Sequence, residues 1–269
     1  MSTSREELIN RCGSQYAISH PLEVLTRLNK ESRYAFIGKP CDVVALKNFM
    51  KLEAEWKGVI IYIYTLSFFC AGLPSKIAQE KLLDHLKCRK EDLQSLRYCG
   101  DGWRGYTTAV EYSGKEHKTD YATSWGSILG RDIMKMCRLC LDGIGEMADI
   151  ACGDAWHLSD DKKPDFNEAD GRNIIFARTS MGLKLLERVI ADGRIRVGKA
   201  DIDNLKYIQP YQWDRRATMG DKIFVLRCLM RTTPRYKWKD IIKYYSGVKV
   251  RRHLSIIKGT AVRIIKRRM

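Results

Sequence analysis

The chain has 269 residues, of which 45% are hydrophobic and 30% charged, with a formal net charge of +16. These values are typical of an ordinary soluble globular protein that is long enough to bury a full core. The N-terminus lacks the apolar segment of a secretory signal, and the longest apolar run, residues 58–70, is too short to cross a bilayer as a helix. We therefore expect a cytoplasmic protein, whose nine cysteines serve metal binding, catalysis or core packing and not a disulfide framework.

Positive charge is concentrated near the C-terminus. Residues 222–269 contain fifteen Lys and Arg residues and one acidic residue, whereas the first 221 residues are close to neutral. A neutral body offers no extended basic face, which argues against nucleic-acid binding. We expect a domain over residues 1–215 followed by a basic, partly amphipathic helical tail over residues 216–269.

Two consecutive strand–loop–helix units are predicted in the first third of the chain, after a helix start at Pro21. The sequence YAFIG (34–38) indicates a buried strand and leads through a short loop into a helix. GVIIYIY (58–64) indicates a second strand, followed by the loop FCAGLP (69–74) and a helix that Ser75 caps. Successive units of this kind favour a parallel α/β sheet, in which both loops open at the carboxyl ends of strands, where such sheets bind ligands.

The next segment, residues 95–112, alternates around Gly100-Asp101-Gly102 and predicts an antiparallel hairpin. The same residues, with Gly105, form a formal G-x-G-x-x-G. A dinucleotide-binding fingerprint requires a helix after the glycines, but the sequence here continues as a strand. We therefore predict a turn and not a phosphate-binding loop.

The C-terminal third begins with a strand over residues 173–179 and a helix over 181–193 that ends at Gly193. In the tail, apolar residues recur at helical spacing on one face: Val250, Leu254, Ile257, Ala261 and Ile264. A basic amphipathic helix of this kind suits an anionic membrane surface or an acidic partner. The alternative is a C-terminal helix that packs on its own domain.

Together these elements predict an α/β fold with a partly parallel sheet, flanking helices, an antiparallel hairpin insertion and a basic helical C-terminal tail.

The cysteines offer several kinds of site. Cys137 and Cys140 form a Cys-x-x-Cys pair, but a zinc site would need a second such pair or paired histidines, and the sequence has neither. Cys41 and Cys70 each follow a predicted strand beside Gly and Pro, which would suit a rigid thiol facing a bulky cofactor. Four thiolates are the number that a [4Fe–4S] cluster uses. The alternative is that Cys41 and Cys70 are ordinary buried side chains.

Several stretches, in this order, resemble one family: GSQYAISHP (13–21), FIGKPCDVVALKNF (36–49), FFCAGLPS (68–75), CRLCLDGIGEMADIACGDAW (137–156) and IIFARTSMGLKLLE (174–187). Together they are similar to the C-terminal domain of the coenzyme F-420 hydrogenase/dehydrogenase beta subunits, over about residues 10 to 215. The resemblance implies an iron–sulfur flavoprotein with a [4Fe–4S] cluster on Cys41, Cys70, Cys137 and Cys140.

The resemblance also implies FAD and a two-electron acceptor such as the deazaflavin coenzyme F-420. Lys39, between Gly38 and Pro40, is the candidate expected to stabilise an anionic reduced flavin; the alternative is a solvated surface lysine. Asp142 and Asp154, like Asp149, are expected to bind a ribose or to cap the cysteine loop.

Family members carry an upstream region with a flavin-binding segment, and this chain begins after it. We therefore expect FAD to need a redox partner protein, with the missing N-terminal half supplied as a separate chain. Relatives in bacteria that lack coenzyme F-420 are associated with surface-polysaccharide pathways. The alternative function is a non-catalytic metal-binding or membrane-docked interaction protein that has lost the flavin half.

Overall fold

The computed structural model describes all residues except 11, 15, 30, 59–62, 101, 102, 104, 168 and 267–269. Its strands are β1 (Tyr34–Gly38), β2 (Ile63–Phe68), β3 (Leu93–Arg97), β4 (Thr107–Glu111), β5 (Glu116–Thr119), β6 (Ile150–Asp154), β7 (His157–Leu158), β8 (Pro164–Asp165) and β9 (Asn173–Ala177). Its α-helices are α1 (Arg5–Asn10), α2 (Pro40–Lys57), α3 (Lys76–Leu86), α4 (Lys135–Arg138), α5 (Ser180–Ala191), α6 (Leu205–Ile208), α7 (Pro210–Ala217), α8 (Met219–Cys228), α9 (Trp238–Ile242) and α10 (Val250–Ile265). Within the described ranges, no helix has both the length and the apolar character that crossing a bilayer requires.

The chain divides into two compact units. The first unit consists of Met1–Ser19, Gly72–Cys137 and Phe166–Gly171, and the second of His20–Ala71, Arg138–Asp165 and Arg172–Met269. The domain boundary predicted at residue 215 falls inside the second unit, within α7.

The second unit contains a four-stranded sheet in the order β1-β2-β6-β9. β1, β2 and β6 run parallel, and β9 pairs antiparallel with β6, which confirms the partly parallel sheet predicted from the sequence. β2 runs from Ile63 to Phe68, further along the chain than the predicted strand, and residues 59–62 of that prediction lie outside the described residues. β6 carries Cys152 and Gly153 and lacks a strong apolar pattern, so the sequence did not predict it as a strand.

Helix boundaries largely follow the predicted start and stop residues. α2 begins at Pro40, where a proline ring fits the first helical position, so Cys41 lies in the first helical turn and not in a loop. Ser75 caps α3 as predicted, because its hydroxyl accepts a backbone N–H of the first turn at 3.1 Å. α5 is capped by Thr179 in the same way and is followed by Gly193 in the left-handed region, at φ 66°.

The first unit contains an antiparallel sheet in the order β3-β4-β5. β3 and β4 form the predicted hairpin, and β4 begins at Thr107, just after the glycine motif whose dinucleotide-binding form would require a helix. Asp101 and Gly102 of the predicted turn lie outside the described residues. Apolar side chains of α3, β4 and the segment after β5 form one core cluster with Cys88: Ala78, Leu82, Leu86, Ala109 and Leu129.

The basic C-terminal region is packed into the second unit. One core cluster joins Leu139 to buried residues of α8, α9 and α10: Met219, Ile223, Val225, Leu226, Ile241 and Ile264. Polar contacts add to this packing, since Arg252 of α10 makes two short contacts, 2.7 and 2.6 Å, with the carboxylate of Asp214 in α7. The described part of the tail therefore has the structure of a packed C-terminal helix.

The buried face of α10 is rotated from the predicted one. His253, Thr260 and Ile264 are buried, whereas Val250 and Leu254 are 73% and 62% exposed. The C-terminal half of the predicted apolar face packs as expected, and its N-terminal half faces solvent.

Candidate functional site

Cys41 and Cys70 follow the carboxyl ends of neighbouring parallel strands. Gly38 of β1 is in register with Ser67 of β2, and the Ser67 hydroxyl donates to the Gly38 carbonyl oxygen at 3.0 Å. Each cysteine lies three residues beyond this pair, and parallel strands are about 4.8 Å apart. The sheet therefore places two of the four predicted thiols at one edge, with Cys41 exposed and Cys70 half-buried.

The segment between β1 and α2 is more tightly constrained than its sequence indicates. A Cβ on Gly38 would lie 2.5 Å from Cε1 of the Phe36 ring, so this position requires glycine unless the ring moves. Pro40 is buried at the helix start. The Lys39 ammonium lies 2.6 Å from the Asp42 carboxylate, so the cation expected to face a flavin makes an ion pair on its own helix.

Cys140 opens a loop that Asp142 organises. The Asp142 carboxylate accepts the backbone N–H groups of Ile144 at 3.1 Å and of Glu146 at 3.1 and 3.2 Å. Acceptance of two loop amides is the capping arrangement that the sequence suggests for this aspartate, and its ribose-binding role stays a prediction. The thiol of Cys140 donates to the Asp142 carbonyl oxygen at 3.2 Å.

Gly143 joins the Cys140 loop to Cys70. Its carbonyl oxygen accepts the backbone N–H of Cys70 at 2.8 Å. A Cβ on Gly143 would lie 1.9 Å from Nη2 of Arg215 and 2.0 Å from Oε1 of Gln212, so only glycine allows these side chains of α7 to approach. Arg215, which is 4% exposed, donates from Nη2 to the Cys70 carbonyl oxygen at 3.0 Å, and Nε2 of Gln212 donates to the same oxygen at 3.0 Å.

Buried cations and a tyrosine surround the backbone beside Cys140. Lys222 of α8 donates from Nζ to the Arg138 carbonyl oxygen at 3.3 Å, and burial, together with the charge of Arg215, lowers the pKa of Lys222 to about 8. The hydroxyl of Tyr236 donates to the Leu139 carbonyl oxygen. Burial raises the pKa of Tyr236, and the charge of Cys140 raises it further. This positively charged environment favours the thiolate form of a cysteine and any anionic group bound to it.

The side chains that hold this loop were not identified from the sequence: Gln212, Arg215, Lys222 and Tyr236. They follow the Cys-x-x-Cys pair by more than seventy residues, in a segment whose main sequence feature is its positive charge. The Gln and Arg at i and i+3 on α7 are a helical pair, but nothing in their spacing indicates a cysteine loop as their partner.

Cys137 belongs to the first unit, whereas Cys41, Cys70 and Cys140 belong to the second. Within the first unit, the Cys137 sulfur accepts the backbone N–H of Leu73 at 3.3 Å. Such N–H···S bonds stabilise thiolates and tune the potential of iron–sulfur clusters. The convergence of all four sulfur atoms stays a prediction.

The two remaining aspartates have different surroundings. Asp149 is 2% exposed, and its carboxylate accepts the backbone N–H and hydroxyl of Thr65 at 2.8 and 2.6 Å and the hydroxyl of Thr179 at 2.8 Å. Burial acts to raise the pKa of Asp149, but these hydrogen bonds and the charge of Lys47 hold it below its usual value. Asp149 therefore joins β2 to the start of α5, and its described carboxylate contacts do not include the cysteine loop. A contact with a ribose stays a prediction. Asp154 ends β6 with an exposed side chain.

A cavity of about 320 Å³ opens in the second unit beside the Cys140 loop. Its walls include Gly143 and Gln212, and its polar rim includes Arg216 and Lys206. This volume lies at the lower end of the range typical of small-molecule sites, roughly 300–1,000 Å³. A second arginine approaches the same wall, since Nη2 of Arg178 donates to the carbonyl oxygen of Ile144, a lining residue, at 3.1 Å.

Comparisons with known proteins identify relatives of this chain. The chain is 21% identical over 213 residues to the coenzyme F420 hydrogenase subunit beta of Methanococcus voltae, covering 77% of this chain and 67% of the relative. It is 23% identical over 202 residues to the F420-dependent formate dehydrogenase subunit beta of Methanocaldococcus jannaschii, covering 72% of this chain but only 47% of the relative. Its fold resembles a chain of the F420-reducing [NiFe] hydrogenase complex from Methanosarcina barkeri, with a TM-score of 0.57, 18% identity, and coverage of 87% of this chain and 76% of that one.

Residues 31–203 match the family described as the C terminus of the beta subunit of coenzyme F420 hydrogenase/dehydrogenase. This match extends over more than half of the chain and includes all four cysteines of the predicted cluster, as well as the loop that Asp142 caps. The chain therefore belongs to the coenzyme F420 hydrogenase/dehydrogenase beta subunit family of oxidoreductases.

Proposed function

We propose that this chain is an iron–sulfur oxidoreductase or electron-transfer subunit whose [4Fe–4S] cluster is held by Cys41, Cys70, Cys137 and Cys140. Such a cluster supplies one-electron transfer, and cysteine thiolates are its usual ligands. The observation that carries the proposal is the equivalent placement of Cys41 and Cys70 after paired positions of β1 and β2, in a chain of this family.

The residues around the loop fit an anionic thiolate-bound group. Arg215 and Gln212 fix the Cys70 carbonyl, and the loop glycine leaves room for both side chains. Lys222 and Arg215 place positive charge beside the Cys140 segment, which would stabilise bound thiolates and raise the potential of a cluster.

We propose that the cavity beside this loop takes part of the second cofactor, either FAD or the deazaflavin coenzyme F-420. Among the described side chains, the buried Nε atoms of Arg178 and Arg216 have no hydrogen-bond partner, and Lys206 lines the same cavity. Guanidinium groups suit the phosphate groups that both cofactors carry, and a phosphate at Arg216 would replace its contacts of 2.6 and 3.1 Å with the Glu146 carboxylate. In this proposal Gly38, Lys39 and Pro40 are candidates for contacting a flavin bound beside the cluster. Asp154 is a candidate for binding a ribose.

A redox partner chain is part of the proposal, because the two matched relatives are named as subunits and the structural neighbour as a complex. We expect the isolated chain to bind the cluster and to bind FAD weakly, with flavin binding restored by a partner that supplies the other half of the site.

The final acceptor is coenzyme F-420 or a substrate of a surface-polysaccharide pathway. A cytoplasmic location fits both acceptors.

A peripheral membrane contact is a second candidate function, and α10 carries the observation that favours it. Val250, Leu254 and Ile265 are more than 60% exposed on one side of this helix, beside Arg251 and Lys258. Exposed apolar side chains flanked by cations are the pattern of helices that lie on anionic lipid surfaces. Binding of the chain to vesicles of phosphatidylserine and phosphatidylcholine, compared with Leu254→Ser and Ile265→Ser variants, tests this contact.

Anaerobic purification tests the main proposal. We expect four irons and four sulfides per chain and a brown colour, as for one cubane cluster. Cys137→Ser and Cys140→Ser should abolish the colour, since a hydroxyl is a poor ligand for iron in this setting. Cys228→Ser, which changes an exposed thiol, is the matched control and should keep full iron.

Two other outcomes would contradict the proposal. A colourless chain without iron, folded and otherwise intact, would favour a non-catalytic interaction protein that has lost its cofactor half. Stoichiometric FAD on the isolated chain, with reduction of an acceptor, would show that no partner chain is needed.

A further inference from the structure

Three side chains of the first unit bring different donor atoms together outside the predicted cluster site. The Cys88 sulfur, a Glu111 carboxylate oxygen and a His117 ring nitrogen all lie within 4.8 Å of one another. In a tetrahedral zinc site, bond lengths of about 2.0–2.3 Å place ligand atoms roughly 3.3–3.8 Å apart. Shifts of about 1 Å or less would therefore bring the three donors to the separations that one bound ion requires.

Local structure fixes the thiol of this set. The chain leaves α3 through Lys87, which is in the left-handed region at φ 56°, and the backbone N–H of Cys88 returns to the Leu83 carbonyl oxygen at 3.1 Å. This turn directs Cys88 into the core of the first unit, where it is 3% exposed. The thiol is thus held at the end of a helix and is shielded from water.

The other two donors come from the β4–β5 hairpin. His117 is in register with Ala109, and Glu111 lies two residues beyond Ala109 on the same strand, so both side chains are on the face of the sheet that carries the buried Ala109. The side chains of Glu111 and His117 are only 16% and 11% exposed, and Nε2 of His117 lies 2.8 Å from Oε1 of Glu111. The face that would ordinarily be apolar therefore carries two metal-binding groups directed towards a buried thiol.

Second-sphere contacts resemble those of metal sites. The Ser113 hydroxyl donates to the other Glu111 oxygen, Oε2, at 3.0 Å, which orients the carboxylate. Asp92 is engaged by Arg89 in two contacts of 2.6 and 3.0 Å and is not required as a ligand. One sulfur, one nitrogen and one oxygen form a ligand set that suits Zn²⁺, and three protein ligands leave a fourth position for water.

We propose that Cys88, Glu111 and His117 bind one zinc ion in the first unit. The ion links the end of α3 to β4 and β5 and takes the place of the direct contact between His117 and Glu111. This site shares no residue with the predicted iron–sulfur cluster, so it does not depend on the proposed function.

Metal analysis of the full chain tests the site, with zinc and iron counted in the same anaerobically purified sample. We expect one zinc per chain in the wild type. Zinc binding should be at least tenfold weaker in Cys88→Ser, Glu111→Gln and His117→Ala, because substitutions of residues that only orient metal ligands already weaken metal binding about tenfold to hundredfold. Iron should be unchanged in all three variants. Cys12→Ser, an exposed thiol of the same unit, is the matched control and should keep its zinc.

Cobalt substitution supplies a second measurement that does not rely on the yield of any one variant. Co²⁺ added to the zinc-depleted chain should give tetrahedral d–d bands with a thiolate charge-transfer band, and Cys88→Ser should remove the latter. Zinc should also raise Tm in the wild type and not in Glu111→Gln, which is isosteric. Zinc content that is equal in wild type and variants, or no zinc binding by the folded wild type, would overturn the proposal.

Discussion

Two regions of the second unit each enclose a buried aspartate, and they satisfy it in different ways. In the sheet, Asp149 accepts hydrogen bonds from the backbone and hydroxyl of Thr65 and from the hydroxyl of Thr179. In the C-terminal helices, Asp221 lies 2.7 Å from Nδ1 of His253 and accepts the hydroxyl of Tyr245 at 2.8 Å. The sheet aspartate is therefore held by backbone and hydroxyl donors with Lys47 beside it, whereas the helix aspartate is held by a histidine ring and a tyrosine hydroxyl.

This difference shows how a segment with high positive charge can be a packed part of the fold. Nε2 of His253 lies 3.1 Å from the Tyr245 carbonyl oxygen, so both ring nitrogens face oxygen atoms of the second unit. Arg252 and His253 of α10 therefore both make polar contacts inside the unit. Deletions and substitutions in each region test whether the C-terminal helices stabilise the fold or form a solvated tail.

Deletion of residues 250–269 should have the largest effect. It removes Ile264 from the core and leaves Asp221 buried without His253, which together cost about 5 kcal/mol or more of the free energy of unfolding. We expect loss of cooperative unfolding and of bound iron. Deletion of residues 1–10, whose helix α1 buries no side chain, is the control. An independent tail would instead leave cofactor content unchanged and weaken only the binding to anionic vesicles.

Asp221→Ala should be next in size, because it leaves a buried imidazole without its carboxylate. The substitution leaves both the His253 ring and the Tyr245 hydroxyl without their carboxylate partner, at about 1–3 kcal/mol each. Urea unfolding of Asp221→Ala, His253→Ala and the double variant gives the coupling energy, which should exceed about 1 kcal/mol. Additive single effects would show that the two side chains do not interact.

Lys222→Met should change the pH dependence of stability. Lys222 has a pKa of about 8 in the folded chain, below the ordinary value of 10.5, so the unfolded chain binds the extra proton between these values. Stability therefore rises with pH across this window, by about 3 kcal/mol from this group. Urea unfolding of the cluster-free chain at pH 7.5 and 10 should show the rise in the wild type and in Lys239→Met, and its absence in Lys222→Met.

Asp149→Asn should have the smallest effect, about 2 kcal/mol, because its amide would place N–H groups against the donors of Thr65 or Thr179. The pKa of Asp149 is below its ordinary value of 3.8, so its contribution is complete above that pH and is lost as pH falls through the folded value. Acid unfolding should therefore be less steep in Asp149→Asn than in Asp160→Asn, which changes an exposed loop residue. Equal acid profiles would contradict this role.

The sequence predicted those parts of the fold that depend on short-range patterns. β1, the Ser75 cap and the strand at 173–177 follow from local alternation, capping chemistry and turn residues. Cys41 and Cys70 could be placed at the end of the sheet because parallel strands share one carboxyl edge. The direction of β9 could not be predicted, since pairing order depends on contacts between distant segments.

The candidate site was predictable in its thiols and not in its surroundings. The Cys-x-x-Cys pair is visible in the sequence, but the partners of its loop are on α7 and α8. Likewise, Cys88, Glu111 and His117 are separated by more than twenty residues in total, and only the register of β4 with β5 brings the last two together. Such constellations depend on tertiary structure, which local periodicity does not encode.

The close approach at Gly143 has a consequence for how this family member can evolve. Because a methyl group there would overlap Arg215 and Gln212, we expect substitutions at these three positions to be correlated. Replacement of Gly143 therefore requires that Arg215 and Gln212 be lost or repositioned, and retention of their present positions requires glycine at position 143. Homologous chains should therefore show correlated substitutions at positions 143 and 215. Position 215 lies beyond residue 203, where the family match ends.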